Sequence, residues 1–367
     1  MNRRVTMTDV AKRAGVHYTT VSLALRNHPS LPVATRERLR ALAEEMGYRP
    51  DPVLHALIDY RGKLKPRRNI TTLAYVTNWD SRWGWKQAWP HPEFFGGAEQ
   101  RATDLGYQLE HFWLGEPGLT HQRLSDVLHT RGITGLIIAS HRYEIDRALR
   151  FKWQNFSAVK IDFFPHEPAL HAVTNDQRAV IRLAVRRVLA AGYRRIGFVM
   201  HRLWDHGVDL AWSAGFLGEQ QTIPPAERIP IFKFPDSLPL DTSTHLDHLA
   251  PRAPFEAWLR RHRPDVLIST AAFVQPHLEA LGISVPRDLG FADILLDRFE
   301  GQTAGVRQNC RRVGELAVEI LAGQLQQHAF GVPQFPTATL VEGTWFDGAS
   351  LPRRSPAKAA ASTATPG

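Results

Sequence analysis

The densest group of chemically distinctive side chains lies between residues 78 and 91. Four of the chain's ten tryptophans occur there within eleven residues, at positions 79, 83, 85 and 89. Asp80 stands beside the first of them, and His91 follows the last by two positions. An indole face can cover the C–H bonds of a sugar ring while a carboxylate accepts hydrogen bonds from its hydroxyls. The pattern favours sugar binding by Trp79, Asp80, Trp89 and His91, and packing of these tryptophans in an interface or loop core remains the alternative.

Positive charge is concentrated near the N-terminus. Residues 1–68 hold fourteen Lys/Arg and six Asp/Glu, a charge of +8, whereas the formal net charge of all 367 residues is +9. The other 299 residues hold 31 basic and 30 acidic side chains, and are close to neutral. A basic head on a neutral body indicates a polyanionic partner, such as nucleic acid, that contacts the head alone.

The sequence lacks the signatures of membrane, secreted and disulfide-rich proteins. No run of 18 apolar residues exists, and no apolar segment follows the first residues, so we expect neither a membrane span nor a secretory signal peptide. The single cysteine, Cys310, excludes an internal disulfide framework, fits a reducing cytosol and is interpreted as a small buried residue.

Motifs of enzymes and metal sites are also missing. The chain has no glycine-rich dinucleotide motif, phosphate-binding loop, nucleophile elbow or zinc-protease motif, so we predict no catalytic residue and no cofactor. His245 and His248 stand at i, i+3 but have no further histidine or cysteine near them in sequence, so no metal site is predicted.

The elements that must position these side chains fall into two regions. From about residue 69 to residue 345, short apolar runs alternate with amphipathic stretches, which is typical of parallel βαβ units. The predicted strands are Thr72–Thr77, Tyr107–Trp113, Gly135–Ala139, Ala158–Ile161, Ile196–Met200, Ile229–Phe234 and Val266–Ser269. The predicted helices are Glu93–Leu105, Gln122–Thr130, Gln177–Ala191 and Phe255–His262. Roughly 280 residues exceed one doubly wound domain, so we expect two lobes.

The first fifty residues predict three helices. Thr6 and Asp9 are spaced to cap the first helix, and Gly15 supplies the turn into the second. The second helix runs from about Tyr18 to Arg26, and a third from about Val33 to Met46. The second is expected to bury Val21, Ala24 and Leu25 and to expose Tyr18, Thr19, Ser22 and Arg26. Two short helices joined by a glycine turn and braced by a third form a helix-turn-helix.

Four motifs in this head resemble the head of LacI/GalR-family repressors, in order and in spacing. They are Val5–Val16, Thr20–Ser22, Thr35–Arg38 and Gly47–Pro50. The resemblance implies that the second helix enters the major groove of DNA, where Tyr18 and Thr19 read bases and Leu23 offers only apolar contact. Phosphate contacts are expected from Thr20, Ser22, Arg26 and Arg36, and Thr8 completes the predicted DNA-binding set.

Residues 51–68 are predicted to form a hinge helix and a charged linker. The helical part, Asp51–Asp59, is under ten residues long and should be mostly unfolded alone in water. The resemblance implies that this segment pairs with its dimer mate and inserts a leucine into the minor groove. Leu57 matches that position, and simple helix–helix packing is the alternative role.

The body resembles the type I periplasmic-binding-protein fold that follows the head in this family. The matching pieces include Gly132–Ile137, Ala191–Phe198 and Gly282–Leu289. The predicted fold is therefore an α/β two-lobed, type I periplasmic-binding-protein-like body preceded by an all-α helix-turn-helix head. The predicted domains are a head at 1–50, the hinge and linker at 51–68, a body at 69–345 and a disordered tail at 346–367. Within the body, the N-lobe is assigned 69–164 and 290–320, and the C-lobe 165–289 and 321–345.

A ligand of two such lobes lies in the cleft at the carboxyl ends of the strands. Two departures from the family indicate a rebuilt pocket. Trp212 stands in a region where relatives often carry an arginine, and Asp293 is displaced from the usual register. With Asp162, these residues join Trp79, Asp80, Trp89 and His91 in the predicted effector site.

These observations predict a cytoplasmic, nucleoid-associated transcriptional regulator, most simply a repressor, controlled by a small-molecule effector of carbohydrate type. The alternatives are a solute-binding protein of transport and a sugar-processing enzyme with an accessory basic head. The expected partners are a double-stranded DNA operator, the effector and a second copy of the chain, with no membrane. Residues 346–367 contain one leucine, Leu351, so the leucine heptad of the family's tetramers is missing and we expect a homodimer.

Overall fold

The computed structural model describes residues 5–25, 30–48, 71–141, 148–162, 167–234, 252–298 and 300–354. The helices are α1 Met7–Ala14, α2 Tyr18–Leu25, α3 Val33–Glu45, α4 His91–Asp104, α5 His121–Thr130, α6 Gln177–Ala190, α7 Arg202–Gly207, α8 Ala211–Gln220, α9 Arg252–His262, α10 Ala271–Ala280 and α11 Cys310–Gln327. The strands are β1 Thr71–Asn78, β2 Tyr107–Trp113, β3 Gly135–His141, β4 Ser157–Ile161, β5 His171–Asn175, β6 Ile196–His201, β7 Phe232–Phe234, β8 Val266–Ser269, β9 Gly290–Asp293, β10 Ala304–Arg307, β11 Ala338–Val341 and β12 Thr344–Phe346. The predicted hinge and linker, residues 51–68, lie outside the described residues.

The head folds as the three helices that its sequence predicts. At the start of α1, the Thr6 hydroxyl accepts a hydrogen bond from the backbone N–H of Asp9 at 3.3 Å, and the Asp9 carboxylate accepts one from the backbone N–H of Thr6 at 2.8 Å. This reciprocal capping box satisfies amides that the helix leaves without partners. Gly15 then takes a left-handed φ of 67° at the turn, a conformation that glycine adopts without strain. The side chains of Val10, Ala11, Val21 and Ala43 form the buried core of the three helices.

A six-stranded parallel sheet forms the N-lobe. Its strand order is β11-β5-β4-β3-β1-β2, with Leu73 of β1 paired to Leu109 of β2 on one side and to Gly135 of β3 on the other. One face of the sheet is covered by α4 and α11, and the other by α5 and the segment around Phe156. Burial on both faces explains why β1 and β3 read as continuous apolar runs rather than alternating ones.

A second six-stranded sheet forms the C-lobe. Its order is β12-β10-β9-β8-β6-β7, parallel except for β12, which runs antiparallel to β10. Helices α6 and α8 pack on one face, and α9 and α10 on the other. Strand β7 begins at Phe232 rather than at the predicted Ile229 because Pro230 has no N–H for the ladder. The Pro230 carbonyl instead accepts a hydrogen bond from the indole of Trp258 at 3.1 Å.

The structure corrects the predicted division into lobes. Strand β9 pairs with β8, and β10 pairs with β9, so both belong to the C-lobe, whereas the prediction gave residues 290–307 to the N-lobe. In the other direction, β5, the end of α11 and β11 belong to the N-lobe. The chain therefore crosses between lobes after β5, after β10 and after β11, which short-range patterns do not reveal.

Helices α4 and α11 approach each other closely at two glycines. A Cβ added at Gly97 would collide with the backbone carbonyl of Arg311, and one added at Gly314 would collide with that of Phe94. The two helices thus meet backbone to backbone, which only residues without a side chain permit at these positions.

Residues 347–354 differ from the disordered tail that the sequence predicts. The Leu351 side chain is buried in the core of the C-lobe, and Ser350 exchanges hydrogen bonds with Phe291 of β9. The guanidinium of Arg354 lies 4.1 Å from the ring centroid of Tyr193 and donates to the Asp265 carboxylate at 2.9 Å. This segment is part of the C-lobe, and residues 355–367 lie outside the described residues.

Candidate functional site

The exposed end of the head is formed by the first turn of α2. Tyr18 is 52% exposed, and its ring contacts that of His17 at 4.7 Å between centroids. The Thr19 side chain is exposed, and its hydroxyl lies 2.8 Å from Nδ1 of His17. The two predicted base-reading side chains therefore stand together at the N-terminus of α2, where a helix entering the major groove presents its reading residues.

The other predicted DNA-contacting residues differ in exposure. Thr8 is exposed, while Thr20, Leu23 and Arg36 are half-buried. The prediction that Ser22 is exposed was wrong, since it is only 7% exposed on a helix whose Val21 and Ala24 are in the core. Arg26 and Leu57 lie outside the described residues.

A cavity of about 420 Å³ lies between the lobes, at the carboxyl ends of strands from both sheets. Ligands of open parallel sheets bind at this edge because the strand ends leave a crevice there. The cavity is lined by Trp79, Gln87, Ala88, Trp89, Pro90, His91, His141, Asp162, Leu203, Trp204, Gly207, Val208, Trp212, Thr270, Ala271, Ala272, Asp293, Leu295 and Asp297. Six of the seven predicted effector residues are among them.

The N-lobe wall of the cavity is built on the ends of β1, β3 and β4. Trp79 directly follows β1, and its backbone carbonyl accepts a hydrogen bond from the Trp113 indole at 2.8 Å. The Trp79 ring meets His91, the first residue of α4, edge to face at 4.9 Å. Asp162 follows β4 with a φ of 79°, and one carboxylate oxygen accepts from the Thr174 hydroxyl at 3.2 Å. Contacts with neighbouring elements therefore hold Trp79 after β1 and Asp162 after β4 in position in the cavity wall.

The C-lobe wall presents a carboxylate and an indole whose positions are also fixed. Asp293, the last residue of β9, accepts hydrogen bonds from the backbone N–H groups of Leu295 at 2.7 Å and Ala271 at 3.0 Å. Trp212 on α8 is 4% exposed, and its indole N–H donates to the Gln177 side chain at 2.7 Å. Rigid supports of this kind preorganise a binding site.

Burial sets the charge of the cavity. It lowers the pKa of His91 to about 4, with a further contribution from His141, and lowers the pKa of His141 to about 4. Both rings are therefore neutral at physiological pH. Burial raises the pKa of Asp293 to about 6, against the effect of its two backbone hydrogen bonds. Of the described residues that line the cavity, none is a lysine or arginine, so the wall they form is acidic.

The remaining members of the tryptophan-rich loop have other roles. Asp80 is exposed and does not line the cavity. Trp85 is fully buried against Tyr75 and Phe95, with ring centroids 6.0 and 5.2 Å away. Trp83 is 47% exposed, and the Lys86 ammonium lies 4.2 Å from its ring centroid. Trp79 and Trp89 thus line the cavity, while Trp85 packs in the loop core.

Several cavity residues were missed at the level of sequence. His141 ends β3, Thr270 directly follows β8, and Asp297 lies four residues beyond β9. Their positions after strand ends were the available signal. Trp204 follows β6 closely and contacts Phe273 at 5.7 Å.

Two kinds of site are not found in the part of the chain that the structure describes. No group of three or more His, Cys, Asp or Glu side chains there could hold a metal ion, and His245 and His248 lie outside it. No helix within the same residues has the length and apolar character needed to cross a membrane. Cys310 is buried, as predicted, which raises the pKa of its thiol to about 12.

The chain joins a three-helix head, with a helix-turn-helix, to a two-lobed α/β body, and comparison with known proteins agrees with this architecture. Residues 6–51 match the family model of bacterial regulatory proteins of the lacI family. The N-terminal domain of this chain is therefore a lacI-family domain, which confirms the resemblance seen in its motifs.

Relatives extend the similarity beyond the head. The chain is 25% identical over 203 residues to the HTH-type transcriptional regulator MalR of Streptomyces coelicolor, an alignment covering 53% of each protein. The chain thus spans about half the length of the curated relatives it matches. Among solved structures, a CelR–cellobiose complex has a TM-score of 0.57 at 19% identity, covering 95% of this chain and all of that one. A lac repressor dimer bound to operator and the anti-inducer ONPF has a TM-score of 0.54 at 17% identity, with the same coverage. These structures show the fold that the sequence predicts.

Proposed function

We propose that this protein is a homodimeric transcriptional regulator that binds an operator through its head and responds to a neutral carbohydrate bound between its lobes. One observation carries the proposal: a lacI-family head and an interlobe cavity walled by indoles and carboxylates occur on one chain. Repression is the expected mode of regulation.

The chemistry of the head supports DNA as its partner. Its first 68 residues carry a charge of +8, and Tyr18 and Thr19 stand exposed at the start of α2. Contacts to phosphates dominate the affinity of such domains, whereas side chains at base edges supply selectivity. Tyr18 and Thr19 are proposed as base-reading residues, and Thr8, Thr20 and Arg36 as positioning contacts. Arg26 and Leu57 keep the roles that the family resemblance implies.

The chemistry of the cavity supports a neutral sugar. Trp79, Trp89, Trp204 and Trp212 offer aromatic surface from both lobes, and Asp162, Asp293 and Asp297 offer hydrogen-bond acceptors. Carboxylates stabilise hydroxyl donors and repel anions, so a phosphorylated or carboxylated sugar is disfavoured. A volume of about 420 Å³ falls within the range of small-molecule sites. The CelR complex, a neighbour in fold, holds cellobiose.

DNA binding is tested with the full chain on immobilised genomic fragments, followed by anisotropy titration of the selected fragment. We expect selective retention of a fragment and an affinity that falls steeply between 50 and 200 mM salt, by roughly a thousandfold or more for six or more phosphate contacts. Binding that shows no preference among fragments would contradict an operator-specific regulator.

Ligand binding is tested by thermal shift with neutral mono- and disaccharides, including glucose and cellobiose, and with glucose 6-phosphate as the anionic counterpart of glucose. A ligand present at a hundred times its Kd adds about 2.7 kcal/mol to the free energy of unfolding, which is easily seen as a raised Tm. A neutral sugar should raise Tm and alter operator affinity. Stabilisation by the phosphate alone would overturn the assignment of a neutral effector.

A further inference from the structure

Three buried side chains connect the cavity to the segments that join the lobes. The Trp212 indole donates to Oε1 of Gln177 at 2.7 Å. The amides of Gln177 and Gln308 face each other, and each pairs its Nε2 with the other's Oε1 at 3.0 Å. Gln308 also donates to the carbonyl of Ile294 at 3.2 Å, next to Asp293. All three side chains are 5% exposed or less.

The two glutamines occupy two of the three interlobe crossings. Gln177 is the first residue of α6, two positions after the end of β5, and Gln308 directly follows β10. Both crossings connect a strand of one lobe to a helix of the other. The amide pair therefore bonds one crossing to the other, and Trp212 and Ile294 attach it to the cavity wall.

We infer that Gln177 and Gln308 are positioning residues that fix the Trp212 ring against the cavity and tie its position to the relative orientation of the lobes. The inference rests on the proposed function, because the site that Gln177 and Gln308 would regulate is the proposed ligand site. A ligand that moves Trp212 must also disturb the hydrogen bonds of Gln177, whose amide is paired with that of Gln308 at the other crossing.

The physical basis is the scarcity of alternative partners. Inside a buried network, an amide or indole N–H that loses its acceptor has no water molecule to replace it. The hydrogen-bonded side chains therefore keep their positions or move together. The side-chain oxygen of Gln177 accepts hydrogen bonds from both the Trp212 indole and the Gln308 amide. A change at either partner thus alters the bond to the other.

The chain offers a matched control for this inference. Gln220 is a buried glutamine at the end of α8, the helix that carries Trp212, and it is 7% exposed. Its Nε2 donates to the Ile229 carbonyl at 2.6 Å, within the C-lobe. Gln177→Met, Gln308→Met and Gln220→Met each replace a buried amide by an apolar side chain of similar shape, and only the first two break the connection to a crossing.

The first measurement follows the indole N–H of Trp212 by ¹⁵N NMR of the ligand-free full chain, with the signal assigned by Trp212→Phe. We expect Gln177→Met to shift this signal and to accelerate its hydrogen exchange roughly tenfold. Gln308→Met should produce a smaller change of the same kind, and Gln220→Met none. Gln177→Glu keeps an acceptor oxygen for the indole and should restore protection. An unchanged signal in Gln177→Met would overturn the positioning role.

The second measurement follows the distance between the lobes with spin labels at Glu99→Cys on α4 and Ala257→Cys on α9, both exposed positions. The native thiol of Cys310 is buried and does not compete for the label. We expect a broader or shifted distance distribution in Gln177→Met and Gln308→Met, and the wild-type distribution in Gln220→Met. If all three variants show the wild-type distance distribution, Gln177 and Gln308 do not influence the relative orientation of the lobes. Both measurements are made without sugar or DNA, so their failure is distinct from a failure of the proposed function.

Discussion

Asp293 accepts a hydrogen bond from the backbone N–H of Ala271 at 3.0 Å and thereby joins the end of β9 to the first residue of α10. Its other carboxylate oxygen accepts from Leu295 at 2.7 Å. Because a carboxylate oxygen can accept more than one hydrogen bond, this side chain can fix two backbone segments and still receive a ligand hydroxyl.

The buried position of Asp293 predicts a pH dependence of stability. Its pKa is raised from 3.8 to about 6 in the folded protein, so folding favours the protonated form. The contribution of Asp293 to the free energy of unfolding is fully present below about pH 4. It declines as the pH rises through 6, and above that range it is lost and no longer changes with pH. Relative to Asp293→Asn, the wild-type free energy of unfolding should fall on the order of 3 kcal/mol between pH 4 and 7, at 1.36 kcal/mol per pKa unit. Urea unfolding of both proteins between pH 4 and 7 measures this change in the free energy of unfolding, and the exposed Asp104→Asn serves as the control. Parallel pH profiles for the wild type and Asp293→Asn would contradict the prediction.

Two tryptophans of one loop should respond differently to substitution. Trp89 lines the cavity, whereas Trp83 is exposed outside it. With whichever neutral sugar raises Tm in the thermal-shift panel, Trp89→Ala should weaken binding roughly tenfold, which corresponds to about 1.4 kcal/mol, and reduce the tryptophan emission change. Trp83→Ala should leave both unchanged, and operator affinity without sugar should survive both substitutions. Equal effects of the two substitutions would place the sugar elsewhere.

The recognition role of α2 is tested by comparing an exposed and a buried position. Tyr18→Ala should reduce the preference for the selected operator fragment over random DNA, at a cost of about 1–3 kcal/mol, without lowering Tm. Ser22→Ala, at a buried position, should act mainly on Tm. Anisotropy titrations with both DNAs measure the preference. A uniform loss of affinity for all DNA in Tyr18→Ala would make Tyr18 a phosphate contact.

Leu57 remains a prediction from sequence alone. As a minor-groove wedge, it unstacks one base step at a cost of a few kcal/mol that contacts to the bent DNA offset. Leu57→Ala should weaken operator binding and reduce bending, measured by fluorescence transfer between the operator ends, while leaving sugar affinity unchanged. Undiminished bending would favour a role in helix–helix packing.

The contact between α4 and α11 predicts opposite effects at two glycines of one helix. Gly314→Ala forces a methyl group into the backbone of α4 and should destabilise the protein by about 1–3 kcal/mol or more. Gly323→Ala has no atom within 4 Å of the added methyl group and should stabilise by up to about 1 kcal/mol through helix propensity. Chemical unfolding of both variants checks the pair. A neutral Gly314→Ala would show that the helices can separate at no cost.

The fold was predictable wherever short-range pattern and local chemistry agreed. Strand Tyr107–Trp113 and the α1 capping box appear as predicted. Strands β9 and β10 were missed because each contains a glycine, and between them they carry one β-branched residue, Val306. Helix α10 was missed because Pro276 in its interior weakens the helical pattern. Lobe membership depends on pairing between distant segments, such as β11 with β5, so no local signal determines it.

The site was predictable to the extent that it follows strand ends. Trp79, Asp162 and Asp293 come directly after or at the end of strands, and all line the cavity. Asp80 is adjacent to Trp79 in sequence yet is exposed outside the cavity, in a bend that follows the end of β1. The support that Gln177 and Gln308 give to Trp212 joins residues 131 positions apart and had no sequence signal.

The threefold crossing between lobes has a consequence for biosynthesis. The three helices of the head are complete by residue 45, but the N-lobe sheet lacks its edge strand until residue 341 and the C-lobe sheet until residue 346. Contacts between such distant segments form late, because the intervening chain must first be made and its loops closed. On the ribosome, the head can therefore finish folding while both sheets still lack their edge strands, β11 and β12.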